Sequence, residues 1–114
     1  MTNRPRQVGT NWEMRVLRYL ASYGIDVRRM PPAGSLDVGD LQLVDKDSDR
    51  WVLECKATKA LDIAGGMNEL KVELERAGAP FGACVFKRRN HDTSRGYVVM
   101  ELHQLAALLA PEPL

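Results

Sequence analysis

Apolar and polar residues alternate along two neighbouring segments near the middle of the chain, residues 41–44 and 51–55. The apolar positions are odd-numbered: Leu41, Leu43, Trp51, Leu53 and Cys55. The polar or charged positions are even-numbered: Asp40, Gln42, Arg50, Glu54 and Lys56. Only Val44 and Val52 depart from the alternation. Because side chains alternate between the faces of a strand, the pattern predicts a hairpin with one apolar and one charged face, joined by the polar turn 45–50.

Helical periodicity and turn residues predict the remaining elements. Thr10 or Asn11 is expected to cap a helix that runs to about residue 23, where Gly24 ends it. The other predicted elements are strands at 25–30, 81–86 and 96–102 and helices at 62–77 and 103–109. The first three strands form an antiparallel meander, and helix 62–77 crosses over between parallel strands. We therefore expect an α/β fold with a mixed β-sheet flanked by helices, in the order α-β-β-β-α-β-β-α.

The length of 114 residues suits a single domain with one core. We expect a flexible basic arm at residues 1–8, the domain at residues 9–110 and a tail at residues 111–114. No apolar run approaches the roughly 18 residues of a membrane span, and the polar N-terminus is unlike a secretory signal. Cys55 and Cys84 lie in apolar segments and are expected to be buried, reduced thiols. These features predict a cytoplasmic protein without a membrane.

The net charge of +1 conceals a segregation of charge along the chain. Residues 31–55 carry two basic and six acidic side chains, whereas residues 1–30 carry six and two, and residues 76–95 carry five and one. An enzyme that holds a cation against a phosphate backbone needs both kinds of segment. Charges scattered over a solvated surface would also fit, so charge alone favours nucleic acid only slightly.

The predicted hairpin brings two carboxylates together. A register that pairs Leu43 with Trp51 and Leu41 with Leu53 places Asp40 directly opposite Glu54. Cross-strand neighbours have Cβ atoms about 5 Å apart, and carboxylates at that distance repel unless a cation or a proton lies between them. A divalent ion such as Mg²⁺ or Mn²⁺ would relieve this repulsion, because hard cations prefer carboxylate oxygens. Lys56 projects from the same face, two residues after Glu54.

Glu13 supplies a third carboxylate from the first predicted helix. On a helical wheel, Trp12, Val16, Tyr19, Leu20 and Tyr23 form an apolar arc with Leu17 at its far edge, and Glu13 falls inside it, between Leu20 and Leu17. A glutamate that faces the core is costly unless it is paired or coordinated. If the Glu13 side chain points toward the metal site, its position on the wheel is explained. A place at the edge of the arc, in solvent or paired with an arginine, would explain it as well.

Each of the other residues also has a simpler interpretation. Asp40 follows Gly39 and could be a turn residue, and Glu54 with Lys56 could form an exposed ion pair. Asp37 competes with Asp40 for the aspartate role, although Asp40 is better placed because the alternation begins directly after it. Catalysis is favoured by the conjunction: a helix glutamate, Gly-Asp at the start of one strand, thirteen intervening residues, and Glu-x-Lys at the end of its partner.

In this order, the residues resemble the PD-(D/E)XK nuclease superfamily, and within it the small archaeal-type and phage Holliday junction resolvases. The resemblance extends from about Gly9 to Leu109. Its marks are Gly9-x-x-x-Glu13, Ala33-Gly34-Ser35, Gly39-Asp40-Leu41 and Glu54-Cys55-Lys56. Resolvases of this type often carry an arginine directly after the helix glutamate, where this chain has Met14. The resemblance implies a restriction-endonuclease-like fold and metal-dependent hydrolysis of DNA.

The resemblance also implies roles for individual residues. Glu13, Asp40 and Glu54 would bind the metal, Lys56 would orient water or stabilise charge at the scissile phosphate, and Ser35 would lie in a loop near the site. Contacts to the DNA backbone would come from basic residues: Arg4, Arg6, Arg28, Arg29, Lys87, Arg88, Arg89 and Arg95. His91 is expected to be a surface histidine.

The expected substrate is a branched four-way DNA junction. Because such a junction has two-fold symmetry, a symmetric cut requires two active sites, and we expect a homodimer. Apolar residues of the last helix, Leu105, Leu108 and Leu109, could form its interface or belong to the core. Two alternatives remain: another PD-(D/E)XK nuclease of the nicking, repair or restriction type, and a non-catalytic DNA-binding module.

Overall fold

The computed structural model describes residues 4–31 and 37–112, apart from the side chains of residues 4–8 and 10. In chain order, the described elements are α1 (Arg4–Ala21), β1 (Val27–Arg29), β2 (Leu41–Val44), β3 (Arg50–Lys56), α2 (Ile63–Ala77), β4 (Phe81–Phe86), a 3₁₀ turn (Thr93–Arg95), β5 (Tyr97–Val99) and α3 (Leu102–Leu109). This order confirms the predicted α-β-β-β-α-β-β-α arrangement. Asp62 caps α2 by accepting a hydrogen bond from the Gly65 amide (2.9 Å), and Gly78 ends the helix in a left-handed conformation.

The strands form one sheet in the order β1-β2-β3-β4-β5. Strands β1, β2 and β3 are an antiparallel meander, β3 and β4 are parallel, and β4 and β5 are antiparallel. Leu41 pairs with Leu53 and Leu43 with Trp51, which confirms the register predicted from the alternation. Helix α2 connects the two parallel strands, as the sequence predicted.

The sheet is covered by a helix on each face. On one face, Trp12 and Val16 of α1 pack on Leu41, Leu53 and neighbouring apolar residues of the strands. The Trp12 indole donates a hydrogen bond to the Val85 carbonyl (3.0 Å) and fixes α1 to β4. The opposite face packs on α2 through a second cluster, which consists of Val52, Leu70, Cys84 and Phe86. Val52 departs from the alternation because α2 buries its face of the strand as well.

Several boundaries differ from the sequence predictions. Helix α1 begins at Arg4 rather than at Thr10 or Asn11; Pro5 is compatible with this earlier start, since a first-turn amide has no partner within the helix. Strand β1 is shorter than predicted because its partner β2 has only four residues. The predicted strand 96–102 ends at Val99, and α3 begins at Leu102 after Glu101. The 3₁₀ turn was not predicted.

Helix α3 is attached to the domain mainly by a polar side chain. Gln104 is buried, and its side chain accepts a hydrogen bond from the Gly82 amide (3.2 Å). The leucines of α3 are all exposed: Leu102, Leu105, Leu108 and Leu109. None of the helices in the described part of the chain combines the length and apolar character needed to cross a bilayer. Cys55 and Cys84 are both free and buried, as expected.

Candidate metal and nucleic-acid site

Five carboxylates form a continuous series from α1 across the sheet to α2. The carboxyl group of Asp40 is close enough to those of Glu13 and Glu54 to share a proton with either. Glu54 is similarly close to Glu73 of α2, and Glu73 to Asp37. We call these residues the carboxylate cluster: Glu13, Asp37, Asp40, Glu54 and Glu73. Three separate elements and one loop therefore bring their acids to one place.

The loop before β2 positions the two aspartates. Gly39 has φ +93°, and a Cβ atom there would overlap the side chain of Val52, so glycine is required on both conformational and steric grounds. Asp40 Oδ2 accepts a hydrogen bond from the Cys55 amide (2.7 Å), which fixes Asp40 beside the end of β3. The Gln42 amide donates to the Val38 carbonyl (3.1 Å) and restrains the same loop. Both aspartates are thereby held next to Glu54.

Glu13 lies at the edge of α1, next to the anchoring Trp12. Its carboxylate pairs with Arg29 of β1, with 3.1 Å between Nε and Oε2. Burial and the Asp40 carboxylate raise the pKa of Glu13 above its ordinary value, although Arg29 partly opposes them. Both interpretations of this residue therefore hold in part: Glu13 has an arginine partner, and it also faces Asp40.

Glu54 and Glu73 are the most buried members of the cluster, with 5% and 2% of their surfaces exposed. Burial, together with Asp40 and Glu73, raises the pKa of Glu54 to about 11. Burial is also the main cause that raises the pKa of Glu73 to about 7. In the absence of a cation, the site therefore favours protonated carboxyl groups near neutral pH.

The residues present fit a hard divalent cation. Within the described chain, one group of three potential metal ligands has ligand atoms all within 4.8 Å of one another, and it consists of Asp37, Glu54 and Glu73. The Oε1 atom of Glu73 is buried and has no hydrogen-bond partner among the described residues. An all-oxygen set with an unsatisfied buried oxygen is suited to Mg²⁺ or Mn²⁺.

Lys56 extends from the end of β3 and pairs with Glu69 of α2, with 2.6 Å between Nζ and Oε2. Burial lowers the pKa of Lys56, but the hydrogen bond to Glu69 and the charge of Glu54 outweigh it, so the pKa lies above its ordinary value. Lys56 is therefore a cation at neutral pH, on the same face of β3 as Glu54. Its partner Glu69 is exposed.

The structure brings four of the five predicted catalytic residues into one region: Glu13, Asp40, Glu54 and Lys56. Ser35 lies outside the described residues. Asp37 and Asp40 both lie in the cluster, but the ligand atoms of Asp37, not those of Asp40, converge with Glu54 and Glu73 within 4.8 Å. Among the described residues, the predicted ligand set of Glu13, Asp40 and Glu54 does not form such a group. The sequence reasoning missed Glu73, although a signal was present: Glu73 follows Leu70 by three residues and precedes Ala77 by four, on the buried face of α2. The wheel argument applied to Glu13 would have identified it.

Basic residues surround a cavity at the end of β3 and β4. The cavity is about 570 Å³ in volume. Its lining consists of Ala57, Thr58, Lys59, Leu61, Lys87, Arg88, Arg89 and Tyr97. The Lys87 amide donates a hydrogen bond to the Lys56 carbonyl (2.9 Å), so the basic loop starts beside Lys56, two residues after Glu54 of the carboxylate cluster. Arg88 lies over the Tyr97 ring, 5.7 Å from its centre. Lys59 extends the basic lining beyond the residues predicted from the sequence.

The other predicted DNA-binding residues are more dispersed. Arg29 is engaged with Glu13, and Arg28 lies 3.7 Å from Asp26 in an exposed pair. Arg95 is exposed in the 3₁₀ turn, which contacts α1. Arg4 and Arg6 belong to the first turns of α1, but their side chains are outside the description. His91 is exposed, as predicted.

Comparison with solved structures gives matching chains, one of which is an archaeal protein. The chain is similar to Hjc, a Holliday junction resolvase from the archaeal hyperthermophile Archaeoglobus fulgidus, with a TM-score of 0.56 and 18% identity over 82% of this chain and 88% of that chain. Neither a family model nor a curated protein sequence matches this chain. The likeness concerns the fold, and the predicted restriction-endonuclease-like architecture is confirmed: one domain with a five-stranded mixed sheet between helices.

Proposed function

We propose that this protein is a divalent-metal-dependent endodeoxyribonuclease of the PD-(D/E)XK type, and that its preferred substrate is a four-way DNA junction. One observation carries the proposal: β3 bears Glu54 of the carboxylate cluster and, two residues later, Lys56. The Lys56 carbonyl accepts a hydrogen bond from the Lys87 amide, at the start of a loop whose Lys87, Arg88 and Arg89 line a cavity together with Lys59. Carboxylates that can hold a cation and cations that can hold phosphates are the two requirements for hydrolysis of a nucleic-acid backbone. The similarity in fold to a known junction resolvase supports the same class.

Each side chain has a distinct role in the proposed reaction. Glu13, Asp40 and Glu54 would hold Mg²⁺ or Mn²⁺, and such an ion would polarise a phosphoryl oxygen and lower the pKa of water. Lys56 donates from Nζ to the attacking water or to the developing negative charge. Because Glu69 is exposed, an incoming phosphate competes with it for Lys56 from the solvent side. The basic cavity positions the backbone that flanks the scissile bond.

The preference for a junction requires two copies of the site in one assembly. The exposed leucines of α3 provide an apolar surface for a two-fold contact. We propose a homodimer formed through this surface. Light scattering on the purified chain tests this part: the mass is expected to be twice 12.8 kDa, and a monomer at micromolar concentration would contradict it.

The activity is tested by cleavage of a synthetic four-way junction beside a linear duplex of the same sequence, with Mg²⁺, Mn²⁺ or EDTA. The wild type is compared with Glu54→Gln and with Glu75→Gln, a control that removes the same charge from an exposed position of α2. Paired symmetric nicks on the junction are expected for the wild type and for Glu75→Gln. Glu54→Gln and EDTA are expected to abolish them.

Other outcomes of the same experiment identify the alternatives. Equal cutting of both DNAs would retain the nuclease but assign it to a nicking, repair or restriction type. Salt-sensitive binding without cutting under any metal condition would identify a non-catalytic DNA-binding module. Cutting by Glu54→Gln at the wild-type rate would reject the assigned site.

A further inference from the structure

The carboxylate cluster has two ends that differ in how their charge is compensated. We call Glu13 and Asp40 the α1 end and Asp37 and Glu73 the α2 end; Glu54 lies between them. At the α1 end, Arg29 pairs with Glu13, and the Cys55 amide donates to Asp40. The α1 end is therefore partly neutralised by the protein itself.

The α2 end lacks comparable compensation. Arg76 donates to the backbone carbonyl of Asp37 (3.3 Å), and within the described chain it forms no ion pair with either carboxylate of this end. Lys56 is paired with Glu69. Asp37 Oδ1 accepts the Gly39 amide (2.9 Å), but Glu73 Oε1 has no described partner. A buried carboxylate oxygen without a partner is costly, so this end favours either a bound cation or a shared proton.

The surroundings of the α2 end allow a hydrated ion to reach it. A cavity of about 250 Å³ opens beside Glu73. It is lined by Asp37, Glu69, Val72, Glu73 and Arg76. Asp37 is exposed at its mouth, whereas Glu54 and Glu73 are buried. An ion can therefore bind the exposed aspartate first and exchange part of its water shell for the buried glutamates.

We propose that Asp37, Glu54 and Glu73 bind a divalent cation of the Mg²⁺ or Mn²⁺ class, as a position separate from the one assigned to Glu13, Asp40 and Glu54. The statement that this is a second position rests on the proposed function, which assigns the first position to Glu13, Asp40 and Glu54. Glu54 would contribute to both. The ligand set contains only carboxylate oxygens, which hard cations prefer. A proton shared between Glu54 and Glu73 is the competing occupant, and it predicts no metal ion at this position.

Binding of Mn²⁺ to the DNA-free protein, measured by calorimetry near pH 7.5, tests the assignment. The variants are Glu73→Gln, which keeps the shape of the side chain, and Asp37→Asn, which changes an exposed ligand with little risk to folding. Glu75→Gln on the exposed side of α2 is the matched control. We expect the wild type and the control to bind two ions per chain. Glu73→Gln and Asp37→Asn should each lose one ion or bind it at least about tenfold more weakly, since even outer-sphere partners of a metal matter by that much.

The measurement separates this inference from the nuclease proposal. Wild-type Mn²⁺ binding by both Glu73→Gln and Asp37→Asn would overturn the α2 position, even if the protein cuts DNA. Loss of an ion in both variants would support the position, even if the wild type cuts no DNA, in which case the nuclease proposal alone fails. Thermal unfolding of each variant verifies that the binding data refer to folded protein.

Discussion

Neighbouring residues of β3 face two very different environments. Leu53 and Cys55 point toward α1, where the core is apolar and Trp12 fixes the helix to the sheet. Glu54 points toward α2, where it lies beside another buried glutamate. One face of β3 therefore carries apolar side chains that stabilise the fold. The other face carries a buried carboxyl group, which destabilises the fold when no cation is bound. The contrast is consistent with the proposed cation site, because burial of paired carboxylates without a cation gives no stability.

The largest expected effect concerns the apolar face. Leu53→Ala should lower the free energy of unfolding by about 2 to 5 kcal/mol, because it leaves a cavity under α1. Glu54→Gln, one position along the strand, should leave the metal-free protein equally or more stable, since the amide is neutral without the proton that the buried carboxyl group has to retain. Urea unfolding in EDTA measures both. A loss of less than about 1 kcal/mol for Leu53→Ala, or a larger loss for Glu54→Gln, would contradict the contrast.

The next effect concerns the lysine at the end of the same strand. Lys56→Gln should reduce the rate of junction cleavage by about 100-fold, or about 2.7 kcal/mol, because a positioned donor to the developing charge is lost. The binding of Mn²⁺ should not weaken, since no metal ligand is removed. Lys71→Gln, at an exposed position of α2, is the matched control. Unchanged cleavage by Lys56→Gln would exclude the proposed role.

Stability should depend on pH through the acidic face. The folded-state pKa values of Glu54, about 11, and Glu73, about 7, lie above the ordinary 4.5. The native state therefore keeps protons that the unfolded chain releases. The part of the stability that depends on these two groups is fully present below about pH 4.5 and is lost as pH rises. The slope is about 1.4 kcal/mol per pH unit for each retained proton.

Urea unfolding in EDTA between pH 5 and 8 should therefore show decreasing stability. Mg²⁺ should flatten the decrease, because the ion replaces the protons. Glu73→Gln should flatten it without metal. Stability that rises over this pH interval in EDTA would contradict the raised pKa values of Glu54 and Glu73.

The smallest expected effect lies in the basic cavity. Arg89→Gln should weaken DNA binding with little dependence on sequence and reduce the slope of log K against log salt by about 0.9, the value for one phosphate contact. Fluorescence anisotropy over a salt series measures it. Arg50→Gln, at the opposite end of β3 from the site, should leave the slope unchanged. Equal slopes for all three proteins would remove Arg89 from the interface.

Much of the fold could be predicted because its signals are local. Alternation on either side of the turn at residues 45–50 predicted the register of β2 and β3. The same alternation assigned Asp40 and Glu54 to one face of the hairpin. The role of Val52 could not be predicted, because a single strand does not show that a helix covers its second face. The ends of β1 depend on the length of its partner, which is a tertiary constraint.

The site was predictable where an acid interrupts a pattern. Glu13 interrupts the apolar arc of α1, and the structure places it beside Asp40. Glu73 interrupts the apolar face of α2 in the same way, but no family motif drew attention to it. The pairing of Lys56 with Glu69 was not predictable, because it depends on how α2 packs across the strand. The metal and DNA roles of these residues stay predictions.

The parallel pairing of β3 with β4 has a consequence for a chain that is still being synthesised. Every acid of the carboxylate cluster precedes residue 74, so a nascent chain that ends after α2 already contains them all. It still lacks Cys84, which pairs with Glu54 across the sheet, and Val85, which accepts the hydrogen bond from Trp12. The acids therefore reach their final arrangement only once β4 has emerged and inserted, which would delay the proposed nuclease activity near the ribosome.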